Sequence, residues 1–244
     1  QLRQRSRVAH REAAALINSL GGISVKFNNY IEVLAHPQTK ALEPLVSVVA
    51  APAGARTQMG LPFRFGDVEM RSRMPPAPLL GEHDAAPLLV RPAFAGRTSA
   101  ATVGKGSGGP LEGIKVLDAS MGAVGPWAGV LLGALGADVI KLESPQGDFI
   151  RNVMPTQRGL GTTYISTNFN KRGIVLDLKK SEDRAQAHAL AGQADVFIEN
   201  FRPGVADRIG VGHAELSAIN PRLIYASASG FGQRRPAGAA DWGD

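Results

Sequence analysis

The regular alternation of short apolar runs with helical segments over residues 110–244 constrains the fold more than any other feature of the sequence. Glycines and polar turns separate these runs, and each run has the length of a buried strand. Because parallel strands are joined by crossover connections that are usually helices, the alternation predicts an α/β fold with a mostly parallel sheet covered on both faces. The predicted strands are 114–118, 139–142, 174–178, 195–199 and 223–228, and the predicted helices are 126–135 and 181–192.

Residues 1–91 have a different, α+β pattern. A helical face ends at the Gly21-Gly22 pair, and an apolar run followed by a turn indicates a hairpin. The proline-rich stretch 74–78 is expected to run extended, because proline fits neither a helix interior nor a central strand. The predicted elements are a helix at 7–20, a helix at 30–35 closed by Pro37, a strand at 45–50 and its hairpin partner at 58–65.

A segment rich in small residues, 92–109, connects these two parts. It contains the glycine- and serine-rich run 96–109, whose composition is typical of a flexible tether. The sequence therefore divides into an α+β segment (1–91), a linker (92–109) and an α/β segment (110–244).

The composition excludes several classes of protein. The sequence has no cysteine, so disulfide scaffolds, thiolate metal sites and cysteine nucleophiles are excluded. No charged-then-apolar signal peptide opens the sequence, so a reducing cytoplasm is the expected location. The longest apolar stretch, 123–137, is interrupted by glycines and Pro126 and is shorter than the roughly 20 residues of a membrane span. We therefore expect no membrane contact.

The net charge of +6 does not indicate a nucleic-acid-binding protein. Residues 110–244 carry 14 Lys and Arg against 14 Asp and Glu, and residues 1–91 carry 11 against 7. A nucleic-acid module concentrates basic charge on one face or helix, and the sequence has no such block with interleaved aromatic residues. No nucleic-acid partner is expected.

A metal site and a serine hydrolase site are also not expected. The five histidines are scattered, and no two have the i, i+4 spacing of helical zinc ligands. The Gly-X-Ser-X-Gly turn of serine hydrolases does not occur. The histidines are His10, His36, His83, His188 and His213.

Three loops are candidates for ligand binding, because α/β sheets bind ligands beyond the carboxyl ends of their strands. Residues 118–126 contain glycines that permit close approach of the backbone, and they lead into a helix whose free amides attract anions. Residues 168–173 combine two amides with two cations, and residues 199–204 hold an aromatic ring beside a Pro-Gly turn. Each loop alone also fits an ordinary turn, a solvated loop or a core aromatic residue, but together they predict a phosphorylated ligand with a planar base.

A series of short motifs runs in order through residues 110–233. They are PLEGIKVLD (110–118), GP (125–126), LGADVIKLE (135–143), NKR (170–172), LDLK (176–179), ADV (194–196), ENFRPG (199–204), NPRLIY (220–225) and SGFGQ (229–233). In sequence and order they resemble the amino-terminal part of class III CoA-transferases, also called the CaiB/BaiF family. That family includes formyl-CoA and carnitine CoA-transferases and α-methylacyl-CoA racemases.

Motifs in residues 1–91 are similar to the carboxyl-terminal part of the same family. They are VLAHPQ (33–38), GLPFRF (60–65) and APLLGEH (77–83). This order implies the tail of one copy, a linker and the head of a second, incomplete copy, and hence a piece of a tandem protein. In the family, head and tail pack into one Rossmann-like CoA-binding domain, so we expect residues 1–91 to dock on residues 110–244. Family members interlock as dimers, which implies a homodimer or an intramolecular pseudo-dimer.

The resemblance implies a CoA-transferase that moves CoA from an acyl-CoA thioester to a small carboxylic acid. In the family an Asp carboxylate attacks the thioester and carries CoA as an aspartyl-CoA thioester to the acceptor acid. No Asp of this sequence matches that nucleophile, which is expected beyond Asp244, so the segment alone is expected to be inactive. Two alternatives stay open: an acyl-CoA racemase with a His/Asp proton-transfer pair, and a non-catalytic CoA-binding or interface half of a tandem protein.

The resemblance also assigns residues to the binding of CoA or acyl-CoA, with no metal. They are Gly122, Ala123 and Val124 after the first strand, the cation Arg172, Leu176 and Lys179 near the adenine, Asn200 and Phe201 at the adenosine, and Arg208 at a phosphate.

We expect these loops to form a cradle rimmed by Gly122, Lys171, Phe201 and Arg208. One position departs from the family. Ser144 stands where many members have an arginine near the phosphates, which implies weaker CoA binding or compensation by Lys141 or Arg172.

Overall fold

The structure is a computed structural model that describes residues 12–24, 28–42, 45–50, 54–60, 75–85 and 109–230. The chain divides into two compact units, Gln1–Pro44 and Leu45–Asp244. The linker predicted at 92–109 lies outside the described residues except for Gly109. Among the residues that the structure describes, no helix combines the length and apolar character needed to cross a membrane.

Three short helices lie in the described part of the first unit. α1 covers residues 12–19, and the predicted start at residue 7 lies outside the described residues. α2 (Tyr30–Ala35) begins with a capping box, in which the side chains of Asn29 and Glu32 each accept the other's backbone N–H. The prediction that Pro37 only closes this helix is incomplete, because α3 (Pro37–Leu42) begins at the same residue. Proline lacks the N–H that a first helical turn leaves unpaired, so it also suits a helix start.

The second unit contains a hairpin, a five-stranded sheet and the helices that cover the sheet. The sequence pattern does not reveal α5, because its sequence TTYISTN, with three threonines, has low helix propensity. In chain order the elements are β1 (Leu45–Ala50), β2 (Gly54–Met59), β3 (Lys115–Asp118), α4 (Val124–Ala134), β4 (Asp138–Glu143), a 3-10 helix (Phe149–Asn152), β5 (Thr156–Gln157), β6 (Leu160–Gly161), α5 (Thr162–Asn168), β7 (Arg172–Val175), α6 (Ser181–Gln193), β8 (Val196–Glu199), α7 (Val205–Arg208), α8 (His213–Ile219) and β9 (Ile224–Ser227).

The five central strands are parallel and lie in the order β7-β4-β3-β8-β9. The chain enters the middle of the sheet at β3, runs outward through β4 and β7, and then crosses back to β8 and β9. This confirms the predicted α/β fold with its parallel sheet. The direction of travel reverses between β3 and β8, and open α/β sheets bind ligands at such a switch point.

The hairpin differs from its prediction. β2 pairs antiparallel with β1 from Ala50 opposite Gly54 to Leu45 opposite Met59, so the partner strand begins at Gly54 and not at Gln58. The turn is therefore shorter than the sequence suggests, because backbone pairing extends through polar residues that lack an apolar alternation. Residues 61–65 of the predicted partner lie outside the described residues.

Side chains alternate between the two faces of the sheet. On one face, Leu117, Ile140, Ile174 and Phe197 belong to the largest apolar core, which also contains residues of α6 and α8. Burial of each such side chain stabilises the fold by roughly 1.5 to 3 kcal/mol. The opposite face lies under α4 and α5 and carries the charged residues described below.

Residues 75–85 close the outer edge of β7. The N–H of His83 donates to the Gly173 carbonyl, and the Gly173 N–H donates back to His83 Nδ1, both at 3.1 Å. The Val175 N–H donates to Asp84 Oδ1 at 2.8 Å. Side chains thus satisfy the edge amides that another strand would otherwise pair.

The same segment is anchored in the interior. The Pro78 carbonyl accepts hydrogen bonds from the Arg151 guanidinium and the Tyr164 hydroxyl, both at 3.3 Å. Ala77 is buried in a small apolar cluster with Ile150 and Tyr164. These contacts join residues 75–85 to the sheet, and docking of the whole of residues 1–91 stays a prediction.

The capping of β7 predicts a local effect of Asp84→Ala. Loss of the carboxylate leaves the Val175 N–H without its acceptor, so hydrogen exchange at this amide should accelerate and stability should fall by about 0.5 to 1 kcal/mol. Asp84→Asn keeps an acceptor oxygen and should retain slow exchange. Amide exchange followed by NMR checks this, and equal rates at Val175 in wild type and Asp84→Ala would contradict the assignment.

Candidate functional site

Two loops meet at the switch point between β3 and β8. The first, 119–123, follows β3, and the second, 200–204, follows β8. The side-chain amide of Asn200 accepts from the Met121 N–H and donates to the Met121 carbonyl, both at 2.7 Å. These two bonds hold the loops together at the carboxyl edge of the sheet.

Glycines allow the first loop to take its path. Gly122 has a φ of +78°, a conformation that other residues rarely adopt. A Cβ at Gly125 would collide with the Ser120 side chain. The loop therefore passes close under the start of α4.

The amino terminus of α4 opens at this edge. The helix has 11 residues, and no side chain forms a capping hydrogen bond at its N-cap residue, Ala123. Ala123 and Val124 are exposed. Backbone amides and the positive end of the helix dipole make such a terminus suitable for a phosphate group.

Beneath α4 lies a buried ion pair. The Lys171 ammonium is 2.7 Å from Asp118 Oδ2, and both side chains are fully buried. The same ammonium donates to the carbonyls of Pro126 and Thr167 and to Asn168 Oδ1, at 2.7, 3.0 and 3.0 Å. A Cβ at Gly129 would lie 2.8 Å from Asp118 Oδ2, so α4 packs directly on this pair.

These contacts determine the protonation of the pair. Burial alone would raise the pKa of Asp118, but the ammonium groups of Lys171 and Lys141 hold it below its usual value, so the carboxylate is ionised at neutral pH. Burial lowers the pKa of Lys171 to about 8, against the opposing effect of Asp118. Both groups are therefore charged near pH 7.

Two further buried ion pairs lie beside the Asp118–Lys171 pair, and the three pairs together form a buried charged layer. The Lys141 ammonium donates to the Ser120 carbonyl and lies 3.3 Å from Asp148 Oδ2. Glu143 accepts two hydrogen bonds from Arg151, at Oε1 from Nε and at Oε2 from one terminal nitrogen. Burial would raise the pKa of Glu143, but Arg151 lowers it below its usual value.

The structure brings several of the predicted residues to the carboxyl edge. Gly122, Ala123 and Val124 lie in the β3–α4 loop, and Asn200 is bonded to that loop. Phe201 is half-buried against the largest apolar core. The side-chain amide of Asn200 bonds the neighbouring loop, so its role in this structure is to join the loops.

The remaining predicted residues follow other strands. Leu176 comes directly after β7 and is buried in the same core that Phe201 contacts. Lys179 is exposed before α6, and Arg208 is exposed at the end of α7. Both cations are exposed, so they do not belong to the buried charged layer.

The structure does not bring Lys171 or Arg172 to the carboxyl edge of the sheet, where the sequence analysis expects the binding loops. Lys171 is buried among its four oxygen partners, which contradicts its expected place in the cradle. Arg172 begins β7 and pairs with Asp138 at 2.7 Å, and Asp138 is the first residue of β4, so this pair lies at the amino edge. Their positions in the chain explain the difference, because Lys171 directly precedes β7 and Arg172 is its first residue, so both lie at the amino end of that strand.

The expectation that Lys141 or Arg172 replaces the arginine missing at position 144 is also wrong. Ser144 is exposed directly after β4, at the carboxyl edge. Lys141 has no exposed surface, and Arg172 lies at the opposite edge with Asp138. Neither cation occupies the position of the missing arginine.

A cleft of about 330 Å³ lies at the amino edge of the sheet. It is lined by residues that include His83, Glu82 and the Arg172–Asp138 pair. It contains none of the loop residues at the switch point, so it is separate from the candidate site. Within the described ranges, no group of three or more His, Asp or Glu side chains could hold a metal ion.

Sequence reasoning missed Asp148 and Arg151. A signal was present in β4, whose sequence DVIKLE places Lys141 and Glu143 on one face of a strand with apolar neighbours. A charge in a buried strand requires a partner of opposite sign. The sequence GDFIR (147–151), just after β4, supplies both partners.

Comparison with known proteins finds similar sequences for the part of the chain that contains the parallel sheet. The profile of CoA-transferase family III matches residues 111–241. The chain is 46% identical over 129 residues to an acetyl-CoA:oxalate CoA-transferase of Acetobacter aceti, covering 52% of this chain and 33% of that protein. It is 41% identical over 129 residues to a human succinyl-CoA:glutarate CoA-transferase, covering 52% and 30%. The chain spans about a third of the length of the curated relatives it matches.

A solved structure is also similar to this chain in its fold. A CAIB/BAIF family protein from Brucella suis superposes with a TM-score of 0.51 at 42% sequence identity. The superposition covers 53% of this chain and 35% of that chain.

The buried Asp118–Lys171 pair predicts a large loss of stability in Lys171→Met. Removal of the ammonium leaves a buried carboxylate without its nearest cation, which should lower the free energy of unfolding by about 3 to 5 kcal/mol. Adding Asp118→Asn should restore part of this loss, because the uncompensated charge is then removed. Urea unfolding of the two variants measures both effects. The adjacent, half-exposed Arg172→Met is the control, with an expected loss of at most about 1 kcal/mol; equal losses in the two single variants would contradict the argument.

Proposed function

The chain belongs to CoA-transferase family III, and on that premise we propose that it supplies the CoA-binding part of an enzyme that moves CoA from an acyl-CoA thioester to a small carboxylic acid. The observation that carries the proposal is the pair of loops joined by Asn200 and Met121 at the β3–β8 switch point. The uncapped terminus of α4 opens beside them. This combination suits a nucleotide with phosphate groups.

Each part of CoA has a proposed partner. The amides of Ala123 and Val124 face the phosphates, with the exposed cations Lys179 and Arg208 as charge partners. Phe201 provides an apolar surface for the flat adenine ring. Gly122 and Leu176 are buried, and the Asn200 amide is bonded to backbone. In this proposal these three residues therefore shape the CoA site. For Arg172, the pairing with Asp138 at the amino edge argues against direct CoA contact.

The proposed chemistry is nucleophilic. A carboxylate attacks the acyl-CoA carbonyl and releases the CoA thiolate, which then attacks the resulting anhydride to give an aspartyl-CoA thioester and the free acid. The acceptor carboxylate reverses these steps and leaves as its own CoA thioester. In this proposal the described residues supply the binding of CoA, and none of their Asp residues is assigned as the nucleophile.

The alternatives share the same CoA site. A racemase moves a proton on the bound acyl-CoA, and a non-catalytic half only binds it, so neither changes the roles proposed here. The cytoplasmic location and the dimer or pseudo-dimer also stay predictions.

Titration with CoA tests the binding proposal directly. CoA at about 100 times its Kd should stabilise the chain by roughly 2.7 kcal/mol. Arg208→Gln removes an exposed cation and should raise the Kd about tenfold, because a charge-assisted bond to phosphate is lost. Lys180→Gln is the matched control, since it removes one exposed positive charge next to α6 and should leave the Kd unchanged. Absence of a thermal shift with CoA in the wild type would refute the proposal.

Ser144→Arg offers a test by gain of affinity. An exposed arginine directly after β4 should reach the phosphates and lower the Kd for CoA about fivefold. Gln186→Arg on the exposed side of α6 adds the same charge as a control and should have little effect. Isothermal titration calorimetry measures both values. Equal affinities in the two variants would show that general charge, and not position 144, determines binding.

A further inference from the structure

Asp148 is a buried carboxylate that the sequence analysis does not assign to any binding site. Its side chain is fully buried, five residues after β4. Both of its oxygens accept the N–H of Gly122, at 3.1 and 3.0 Å. Oδ1 also accepts the Ile150 N–H at 3.2 Å, and Oδ2 lies 3.3 Å from the Lys141 ammonium. One carboxylate therefore connects the Gly122 peptide, the 3-10 helix and β4.

The rest of the loop is fixed in the same way by side chains from other elements. The Ser120 carbonyl accepts from Lys141, and the Met121 peptide is bonded on both sides by Asn200. The Gly122 carbonyl accepts from Thr167 at 3.5 Å. Consecutive peptides are thus oriented by the protein up to Gly122, and the next two residues, Ala123 and Val124, are exposed.

We propose that Asp148 is a positioning residue for CoA binding: by holding the Gly122 peptide, it orients the following amides toward the phosphates. This inference rests on the proposed function, because it assumes that the β3–α4 loop binds CoA. Asp148 acts through Gly122, since its own side chain is fully buried and does not reach the ligand.

The chemistry requires a carboxylate and not merely a polar side chain of the same size. The carboxylate offers acceptor oxygens to three donors, which are the N–H groups of Gly122 and Ile150 and the Lys141 ammonium. An asparagine would turn an N–H donor toward one of them, which leaves a buried donor unpaired and displaces the loop.

A purely structural role is the competing explanation. Asp148 also caps the 3-10 helix through the Ile150 N–H, and loss of the cap would lower stability without any specific effect on the loop. Asp148→Ser distinguishes the two roles. A serine hydroxyl can still cap the 3-10 helix, but it cannot offer two carboxylate oxygens to Gly122 and Lys141.

The experiment measures the Kd for CoA, the thermal midpoint and hydrogen exchange at the Gly122 amide in wild type, Asp148→Asn and Asp148→Ser. Both variants should raise the Kd about tenfold and accelerate exchange at Gly122. Asp195→Ala is the control for a purely structural loss, since Asp195 accepts the Lys115 N–H at 2.9 Å at the opposite edge of the sheet and an alanine leaves that N–H without this acceptor. It should lower the thermal midpoint while leaving the Kd and the Gly122 exchange unchanged.

The outcomes distinguish this inference from the function on which it rests. If the wild type binds CoA and Asp148→Ser binds equally well, or if exchange at Gly122 does not change, the positioning role is refuted and CoA binding stands. If the wild type does not bind CoA, the proposed function fails and this inference fails with it. If Asp148→Asn does not fold, Asp148→Ser with its retained cap decides.

Discussion

A layer of paired charges buried between the sheet and the helices above it is the constraint on which the rest of the structure depends. An isolated charge at such depth would be strongly destabilising, so every member needs a partner of opposite sign and several hydrogen bonds. Because each pair joins residues from different elements, forming the layer fixes α4, α5 and the 3-10 helix relative to the strands. The pairs are Asp118–Lys171, Lys141–Asp148 and Glu143–Arg151.

This layer explains why the candidate site is built mainly from backbone. The charged side chains nearest the switch point are bonded to protein oxygens and amides, and through Ser120 and Gly122 they orient the loop that precedes α4. Groups that are already held in place lose little entropy when a ligand binds, which favours affinity. In the proposed function, the exposed residues Lys179 and Arg208 are the candidate cations for the phosphates.

Residues 75–85 add a second structural link, between the segment that resembles a family tail and the segment that resembles a head. His83 and Asp84 cap the edge of β7, while the Pro78 carbonyl reaches Arg151 in the charged layer. The tail segment therefore contacts the same network that orients the Gly122 loop. Glu143 also accepts the Asp148 N–H at 2.7 Å, so hydrogen bonds connect residues 75–85 with the residue that holds Gly122.

The sequence by itself determined the parallel sheet, its five strands and the loops at the switch point, because apolar periodicity and glycine positions act locally along the chain. It also revealed the family, through motifs such as LGADVIKLE and ENFRPG. Only the tertiary structure decided which charged side chains are buried and which stay exposed. Lys171 and Arg172 are neighbours in one motif, yet one is buried under α4 and the other pairs with Asp138 at the far edge. That outcome depends on strand register and on partners distant in sequence, which no local pattern encodes.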